Sequence, residues 1–353
     1  MPVRRTNRSI LRGLVPLAIA AAAVYFAPYA FGLFTLSLLT NAVIASIAIL
    51  GLNVLFGYTG QISIGHAAFL GIGAYASAVL VDRSGWSYAF AVPVAMVGAF
   101  AVGLLVAVPA LRLKGLYLAL LTLALGAVFP GVVRGLDGLT NGDKGMFGVG
   151  WRAPEWTGLY GPDGQVIWMF WVSGACLVMA CLVISNVLRS PIGRSLVAVR
   201  DHELAAASVG ISVTRTKAMA FAVAGCLGAL AGGLTAASVG VLTPAQFGLL
   251  QSIELLVAVV VGGLASVRGS VIGGAFYVFV PYYASDLFSG AVAGLVFAVA
   301  ILLTLFLAPR GINGLVDSAL ARVKRAVGLG RGALGSSSQQ TASGGSNHRR
   351  ETS

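Results

Sequence analysis

Tyr88-Ala-Phe-Ala-Val-Pro-Val-Ala-Met-Val-Gly-Ala-Phe-Ala-Val-Gly-Leu-Leu-Val-Ala-Val-Pro-Ala110 contains no charged side chain. A bilayer core of roughly 30 Å is crossed by about 20 apolar residues in helical form, so this run is long enough to span one. Nine further runs have the same character: Leu14–Phe31, Phe34–Phe56, Ala67–Val81, Leu116–Val133, Val166–Leu188, Ala218–Val241, Leu250–Val267, Val271–Ser285 and Ala291–Ala308. The chain reads as all-α, a polytopic helical membrane protein of about ten transmembrane helices. The third and ninth runs are short, which fits tilted or partly re-entrant segments, or helices longer than the apolar run itself.

Composition points the same way. Of 353 residues 58% are apolar and only 10% charged, with a mean hydropathy of +0.92. Soluble domains carry roughly 45–50% apolar and about 25% charged residues, so a water-facing surface cannot be built from this chain. An ordinary soluble enzyme, a disordered protein and a disulfide-stapled secreted module are excluded. The 47 glycines suit close helix packing in lipid. Cys176, Cys181 and Cys226 all lie inside apolar runs, an odd number with no metal-site spacing.

The distribution of charge sets the orientation. With the start of the chain inside, the cytoplasmic segments hold Arg4, Arg5, Arg8, Arg12, Arg112, Lys114, Arg189, Arg194, Arg200, Arg215, Lys217, Arg268 and seven basic residues from Arg310 onward, nineteen of the 23 in all. Only Arg83, Arg134, Lys144 and Arg152 fall outside, beside six acids. This is the positive-inside pattern. It places both termini in the cytoplasm and makes the net charge of +12 a topology signal, with anionic lipid head groups as a secondary partner and no nucleic acid. An Arg-rich start before an Ala-rich stretch also resembles a signal peptide. The run continues through Pro28 to Phe31 with no small-x-small exit, which favours an uncleaved first helix.

The organisation that follows is a cytoplasmic N-terminus over 1–13, a membrane domain over 14–310 and a basic tail over 311–353, rich in Gly, Ser and Gln beyond Gly328 and read as largely disordered. Two long polar stretches interrupt the membrane domain. Residues 134–165 form an outside loop, in which Thr140-Asn-Gly-Asp-Lys-Gly145 reads either as a flexible contact or as a turn-rich surface. Residues 189–217 form an inside loop. The stretches Gly57–Tyr75 and Gly262–Tyr277 are faintly alike.

Catalytic signatures are missing. The four lysines follow Leu113, Asp143, Thr216 and Val323, so no phosphate-cradling Gly-Lys-Ser/Thr ending occurs. His66, His202 and His348 offer no metal spacing, and there is no nucleophile elbow. No cofactor is expected, and no ATP hydrolysis by this chain. The inside loop is more informative. Ser190-Pro191 reads as a helix N-cap with proline at the first position. Ile192, Leu196, Val199, Ala206 and Val209 give an apolar stripe at helical spacing, and Gly210 is a C-terminal stop. One amphipathic helix over 190–210 suits docking to a cytosolic partner, or lying on the lipid surface.

This loop, Arg194-Ser-Leu-Val-Ala-Val-Arg-Asp-His-Glu-Leu-Ala-Ala-Ala-Ser-Val-Gly210, resembles the cytoplasmic loop of binding-protein-dependent ABC importer permeases. Further stretches resemble the branched-chain (hydrophobic) amino acid permease family of LivM type, related to urea permeases: Leu52-Asn-Val-Leu-Phe-Gly-Tyr-Thr-Gly-Gln-Ile-Ser-Ile-Gly-His66, Leu111-Arg-Leu-Lys-Gly-Leu-Tyr-Leu-Ala-Leu120, and Ser252-Ile-Glu254 leading to Val261-Gly-Gly-Leu-Ala-Ser-Val-Arg-Gly-Ser270. The likeness covers roughly residues 40–310. It implies a permease-like helical bundle in the cell membrane, partnered by a second permease subunit, two cytosolic ATPase subunits and an extracytoplasmic solute-binding protein. It assigns Arg194, Arg200, Glu203, Ala205, Ala206 and Gly210 to the loop that couples to the ATPase. The general loop pattern is Glu-Ala-Ala, three residues, then Gly. Here Leu204 takes the Glu place and Glu203 stands one position early, which puts a salt bridge from Glu203 to an ATPase in doubt.

For the translocation path, helices interrupted by glycine near mid-membrane point to transporter sites. Asn53, Gly60, Gln61, Ser63 and His66 are the candidates from the glycine-rich stretch. The alternative is tight packing, with His66 held by a neighbouring carbonyl and Asn53 as interhelical glue. Glu254, the acid inside a span, lies roughly 6 Å below the outer end by helical rise. It gates the outer mouth or contacts solute, or else accepts hydrogen bonds from Ser252 or a neighbouring helix. The expected function is import of branched-chain or hydrophobic amino acids driven by ATP hydrolysis on partner subunits. The alternatives are a urea or short-amide permease, an ATP-independent secondary transporter or channel, and, disfavoured by the missing catalytic cluster, a membrane-embedded enzyme.

Overall fold

Inside lipid every backbone N–H and C=O must find a partner within the protein, and a run of apolar residues does so most locally as an α-helix. The computed structural model describes residues 21–110, 116–147 and 150–288, together with 294, 299 and 311–314. Helices stand where the apolar runs predict them. After α1 (residues 21–30) come α2 (Leu33–Thr59), α3 (His66–Ser84), α4 (Tyr88–Ala110) and α5 (Leu116–Gly135). A short α6 (Asp137–Thr140) follows, then α7 (Gly161–Arg189), the short α8 (Pro191–Asp201) and α9 (Glu203–Ser208), α10 (Val213–Ser238), α11 (Leu249–Gly262) and α12 (Val267–Leu287).

Among the described residues five helices are long and apolar enough to cross a membrane: α2, α4, most of α5, α7 and α10. The third and ninth runs are longer as helices than as apolar stretches, because α3 and α12 each take in polar residues at their ends. The eighth is shorter than predicted. Gly263, at φ +121°, ends α11 several residues before Val267. The tenth run, the first 20 residues and the tail beyond residue 314 lie outside the described residues, save 294 and 299.

Two helices form the centre. α2 packs against α7, α10, α11 and α12, and α10 packs against α2, α3 and α4. Within α10's most apolar window 72% of residues are buried, against 33% in α4 and α5, so α10 is core and the latter two face outward. Small residues make the α3–α10 approach possible: a Cβ on Gly232 would stand 1.8 Å from the Leu70 carbonyl oxygen.

Thr140–Gly145, in the loop after α5, is made of short turns whose side chains are bonded. Thr140 Oγ1 donates to the Val133 carbonyl at 2.7 Å, Arg134 pairs with Asp143 at 2.7 Å, and Arg83 donates to Asn141 Oδ1 at 3.3 Å. β1 (Met146–Phe147) pairs antiparallel with β2 (Val241–Leu242), Met146 opposite Leu242. Trp151 and Trp156 close over the outer part of α7 through edge-to-face contacts with Trp168, at 5.7 and 6.1 Å.

Candidate functional site: the cytoplasmic helix pair and the re-entrant segment

The inside loop begins as its sequence dictates. Ser190 Oγ accepts from the Ile192 amide at 3.2 Å, and Pro191 opens α8. It also ends so: Gly210 takes φ +85°, its amide reaches the Ala207 carbonyl and that of Ile211 the Ala206 carbonyl, a Schellman stop. Between these ends the expectation of one helix over 190–210 is corrected. His202 adopts an extended backbone (φ −156°, ψ 100°) and divides the stretch into α8 and α9.

The break redirects the apolar stripe. Leu196, Val199 and Ala206 are buried, whereas Ile192 and Val209 point outward. Leu196 joins a cluster with Leu55, Ala107, Leu118 and Phe221, which seats α8 under α2, α4, α5 and α10. Arg194, Ala205 and Leu204 face solvent, Leu204 at 85% exposure. Glu203 is paired within the chain, its carboxylate bonded to the largely buried Lys217 at the start of α10. Arg200 turns toward the membrane domain. Its Nη1 donates to the Gly57 carbonyl at 2.9 Å while its Nε holds Asp201 at 3.0 Å.

The second part is the glycine-rich stretch after α2. Gly60 adopts φ +70°, the left-handed conformation that reverses the chain. Residues 61–65 then run as non-helical backbone, and α3 starts at His66, whose Nε2 lies 3.1 Å from the Ala48 carbonyl of α2. A carbonyl only accepts, so Nε2 carries the hydrogen. From Thr59 back to Ala48 is roughly 16 Å of helix at 1.5 Å per residue. The His66–Ala48 contact shows that the segment climbs from the C-terminal end of α2 to near the middle of that helix.

Non-helical backbone at this depth is tolerated only when buried in protein, and the sequence provides for it. Gln61, Ser63 and Gly65 face inward while Gly60 and Ile62 face outward, so inward and outward positions alternate. The Ile64 amide donates to Thr122 Oγ1 on α5 at 3.0 Å, and the Ala67 amide to Ser252 Oγ on α11 at 3.1 Å. A Cβ on Gly65 would stand 1.9 Å from the Thr122 carbonyl oxygen. Gln61 donates to Thr59 at 2.9 Å. Ser63 Oγ and His66 Nδ1, both fully buried, have no hydrogen-bond partner among the described residues.

The remaining candidates stand elsewhere. Asn53, fully buried, is bonded to the turn between α11 and α12. Glu254 accepts from Tyr277 Oη of α12 at 3.4 Å. Ser252, the partner weighed for it, instead serves Ala67, because two residues along a helix point to different faces. The structure thus brings Gly60, Gln61, Ser63 and His66 into one segment and ties Arg200 and Asn53 to the same end of α2. Glu254 is separate from both. A cavity of about 440 Å³ where the N-terminal ends of α2 and α7 meet the C-terminal end of α10, lined by Thr40, Asn41 and Gln165 together with Val166, Met169 and Val239, contains none of the candidates. Thr122 escaped the sequence reading, and Ser252 entered it only as a partner for Glu254; a hydroxyl inside an otherwise apolar run was the one signal of each.

Comparison with known proteins places this architecture. A family model described as the permease component of branched-chain amino acid transport systems matches residues 34–306. The high-affinity branched-chain amino acid transport system permease protein LivM of Escherichia coli is 34% identical over 251 residues, covering 66% of this chain and 59% of that protein. The chain thus spans under two thirds of this relative's length. The autoinducer 2 import system permease protein LsrC of Klebsiella pneumoniae is 32% identical over 168 residues, 44% of this chain and 46% of that one. The ribose import permease protein RbsC of Bacillus subtilis is 34% identical over 105 residues, 29% and 32% respectively.

Proposed function

Because this chain belongs to the family of permease components of branched-chain amino acid transport systems, we propose that it is one membrane subunit of an ATP-driven importer of branched-chain or hydrophobic amino acids. It works with a second permease subunit, two cytosolic ATPase subunits and an extracytoplasmic solute-binding protein, and its termini lie in the cytoplasm. The observation that carries this reading is the α8–α9 pair. Its buried side seats Leu196, Val199 and Ala206 on the membrane helices, and its other side leaves Leu204 and Val209 exposed at 85% and 75%. Isolated large apolar side chains on a cytosolic knob, above an Arg-anchored base, suit docking of a partner that pushes. The ordered outside loop offers the binding protein a firm surface.

The path reading rests on residues 60–66, a largely buried stretch of irregular backbone in which the Ser63 and His66 side chains each have an unsatisfied atom. Amino acids are favoured as solutes by the LivM-type likeness, the longest of the matches described. The test is purification of the tagged chain from its native membrane in gentle detergent, then uptake by the reconstituted complex. A second polytopic subunit and nucleotide-binding ATPases should co-purify, and ATP should drive uptake of leucine that valine and isoleucine compete and ribose and urea do not. A homomer that moves leucine without ATP would overturn the reading in favour of a secondary transporter or channel.

A further inference from the structure

We propose that Arg200 and Asn53 are positioning residues acting in series, passing movement of the α8–α9 pair through the end of α2 to the turn between α11 and α12. The proposal rests on the reading above that this pair receives the ATPase stroke. The first link is the Arg200 guanidinium on the Gly57 carbonyl, one of the orphan acceptors of the last turn of α2. The amides of Gly60 and Gln61 go to Phe56 and Leu55, which leaves the Gly57 oxygen to the arginine. Cation and helix C-terminus attract. Asp201 holds the other edge of the same guanidinium, so the fork is fixed in direction as a lysine could not be.

The second link begins one helical turn away. Gly57 lies directly against the α11–α12 turn: a Cβ there would stand 2.4 Å from the Ala265 amide nitrogen and 2.0 Å from Asn53 Oδ1. Asn53 Oδ1 accepts from that Ala265 amide at 2.9 Å. Its Nδ2 donates to the Ser266 carbonyl at 2.9 Å and to Ser270 Oγ at 3.0 Å, with the Gly263 carbonyl further off at 3.3 Å. Both capacities of one buried amide are thus spent on one turn. That turn contains Ala265 at φ +53°, a left-handed conformation alanine rarely adopts. It leads into α11, whose Ser252 holds the start of α3. A shift of α8 therefore reaches α11 and α3 through directed bonds, and the element it acts on is a strained turn. Arg200 and Gly57 are 143 residues apart and Asn53 and Ala265 are 212 apart, so neither contact is a local consequence of helix formation.

The test uses the complete importer in proteoliposomes, with leucine as probe, and reads leucine taken up per ATP hydrolysed for Arg200→Ala, Arg200→Lys, Asn53→Ala and the double Arg200→Ala/Asn53→Ala. Each single change should lower the ratio about tenfold, a coupling loss of ordinary size. Lysine should behave like alanine because it cannot span Asp201 and Gly57 together. The double variant should be no worse than the singles, since links in series do not add. A wild-type ratio in Arg200→Ala, or losses that multiply in the double, overturns the relay. If Asn53→Ala does not fold, Ser270→Ala, which removes one partner of the same amide, takes its place under the same criterion. A wild-type complex without ATPase subunits or without ATP-driven uptake sinks the importer reading instead, and is told apart because it appears before any substitution is made.

Discussion

Two of the chain's reversals, after α2 and after α11, lie against each other and are made by different means. After α2 the reversal is made by Gly60 at φ +70°, followed by a non-helical climb over residues 61–65 that depends on two other helices for its hydrogen bonds. After α11 it is made within a few residues, by Gly263 at φ +121° and Ala265 at φ +53°, and the Ala265 amide is held by Asn53 from another helix. The first reversal uses only a residue free to adopt the conformation. The second adds an alanine that resists it, and that alanine has an external hold. A turn made on glycine alone needs no clamp; a turn that also forces an alanine, clamped from outside, responds to whatever moves the clamp. Asn53 stands on the helix whose end Arg200 grips, so the two reversals share one lever.

The comparison breaks most severely at Gly65. Replacement by alanine places a Cβ 1.9 Å from the Thr122 carbonyl oxygen and 3.0 Å from the Gly126 amide nitrogen, backbone atoms on a neighbouring helix. Such overpacking costs about 3 kcal/mol. SDS-titrated unfolding of the purified chain should show that loss, and an unchanged midpoint would mean that the climb beside α5 is looser than described.

The next effect separates the reversals by how many side chains support each. Asn53→Ala strands the Ala265 amide and removes the bonds that Asn53 Nδ2 donates to Ser266 and Ser270, and should cost about 2 kcal/mol on the scale of buried groups left unpaired. Thr122→Ala and Ser252→Ala each remove one hydroxyl from the climb, leaving the other in place, and should each cost about 0.6–1 kcal/mol, the size of a single interhelical hydrogen bond in a bilayer. Equal losses at the three positions, by the same unfolding titration, would erase the distinction between a turn held at one point and a segment held at two.

What was legible in the sequence was local. Phe34–Phe56 as an apolar run became Leu33–Thr59 as a helix, and Ser190, Pro191 and Gly210 did as caps what their residue types predict, because each acts on backbone within a few positions. The break at His202 was not legible. Nothing in Arg200-Asp-His-Glu203 forbids a helix, and the division follows from seating Leu196 under α2 while Glu203 reaches Lys217. The glycine-rich stretch announced a close approach without saying to what. Thr122, Ser252 and the α11–α12 turn lie from 58 to 217 residues away from their partners, and the pairing is decided by how whole helices pack. Asn53 illustrates the limit: its type allowed either a path role or interhelical glue, and only the turn across from it distinguishes what it touches.

The smallest effect is the sharpest test of the comparison, because it exchanges the two turn residues. Gly60→Ala imposes a left-handed alanine where the Arg200 Cγ stands 3.2 Å from the new Cβ, with no other atom within 4 Å. The conformational cost is about 1 kcal/mol, since the arginine stem can give way. Ala265→Gly removes the same kind of strain, partly offset because glycine has more freedom to lose on folding, and should stabilise by about 0.5 kcal/mol. Opposite signs at these two positions, measured side by side, are required if one reversal is relaxed and the other held. Should Ala265→Gly destabilise instead, its methyl group would be contributing more in packing than its backbone loses in strain, and the α11–α12 turn would be as settled as the one after α2. A turn that gains from glycine yet retains alanine stores a small bias toward opening, which is the property a movable contact beneath a docking helix requires.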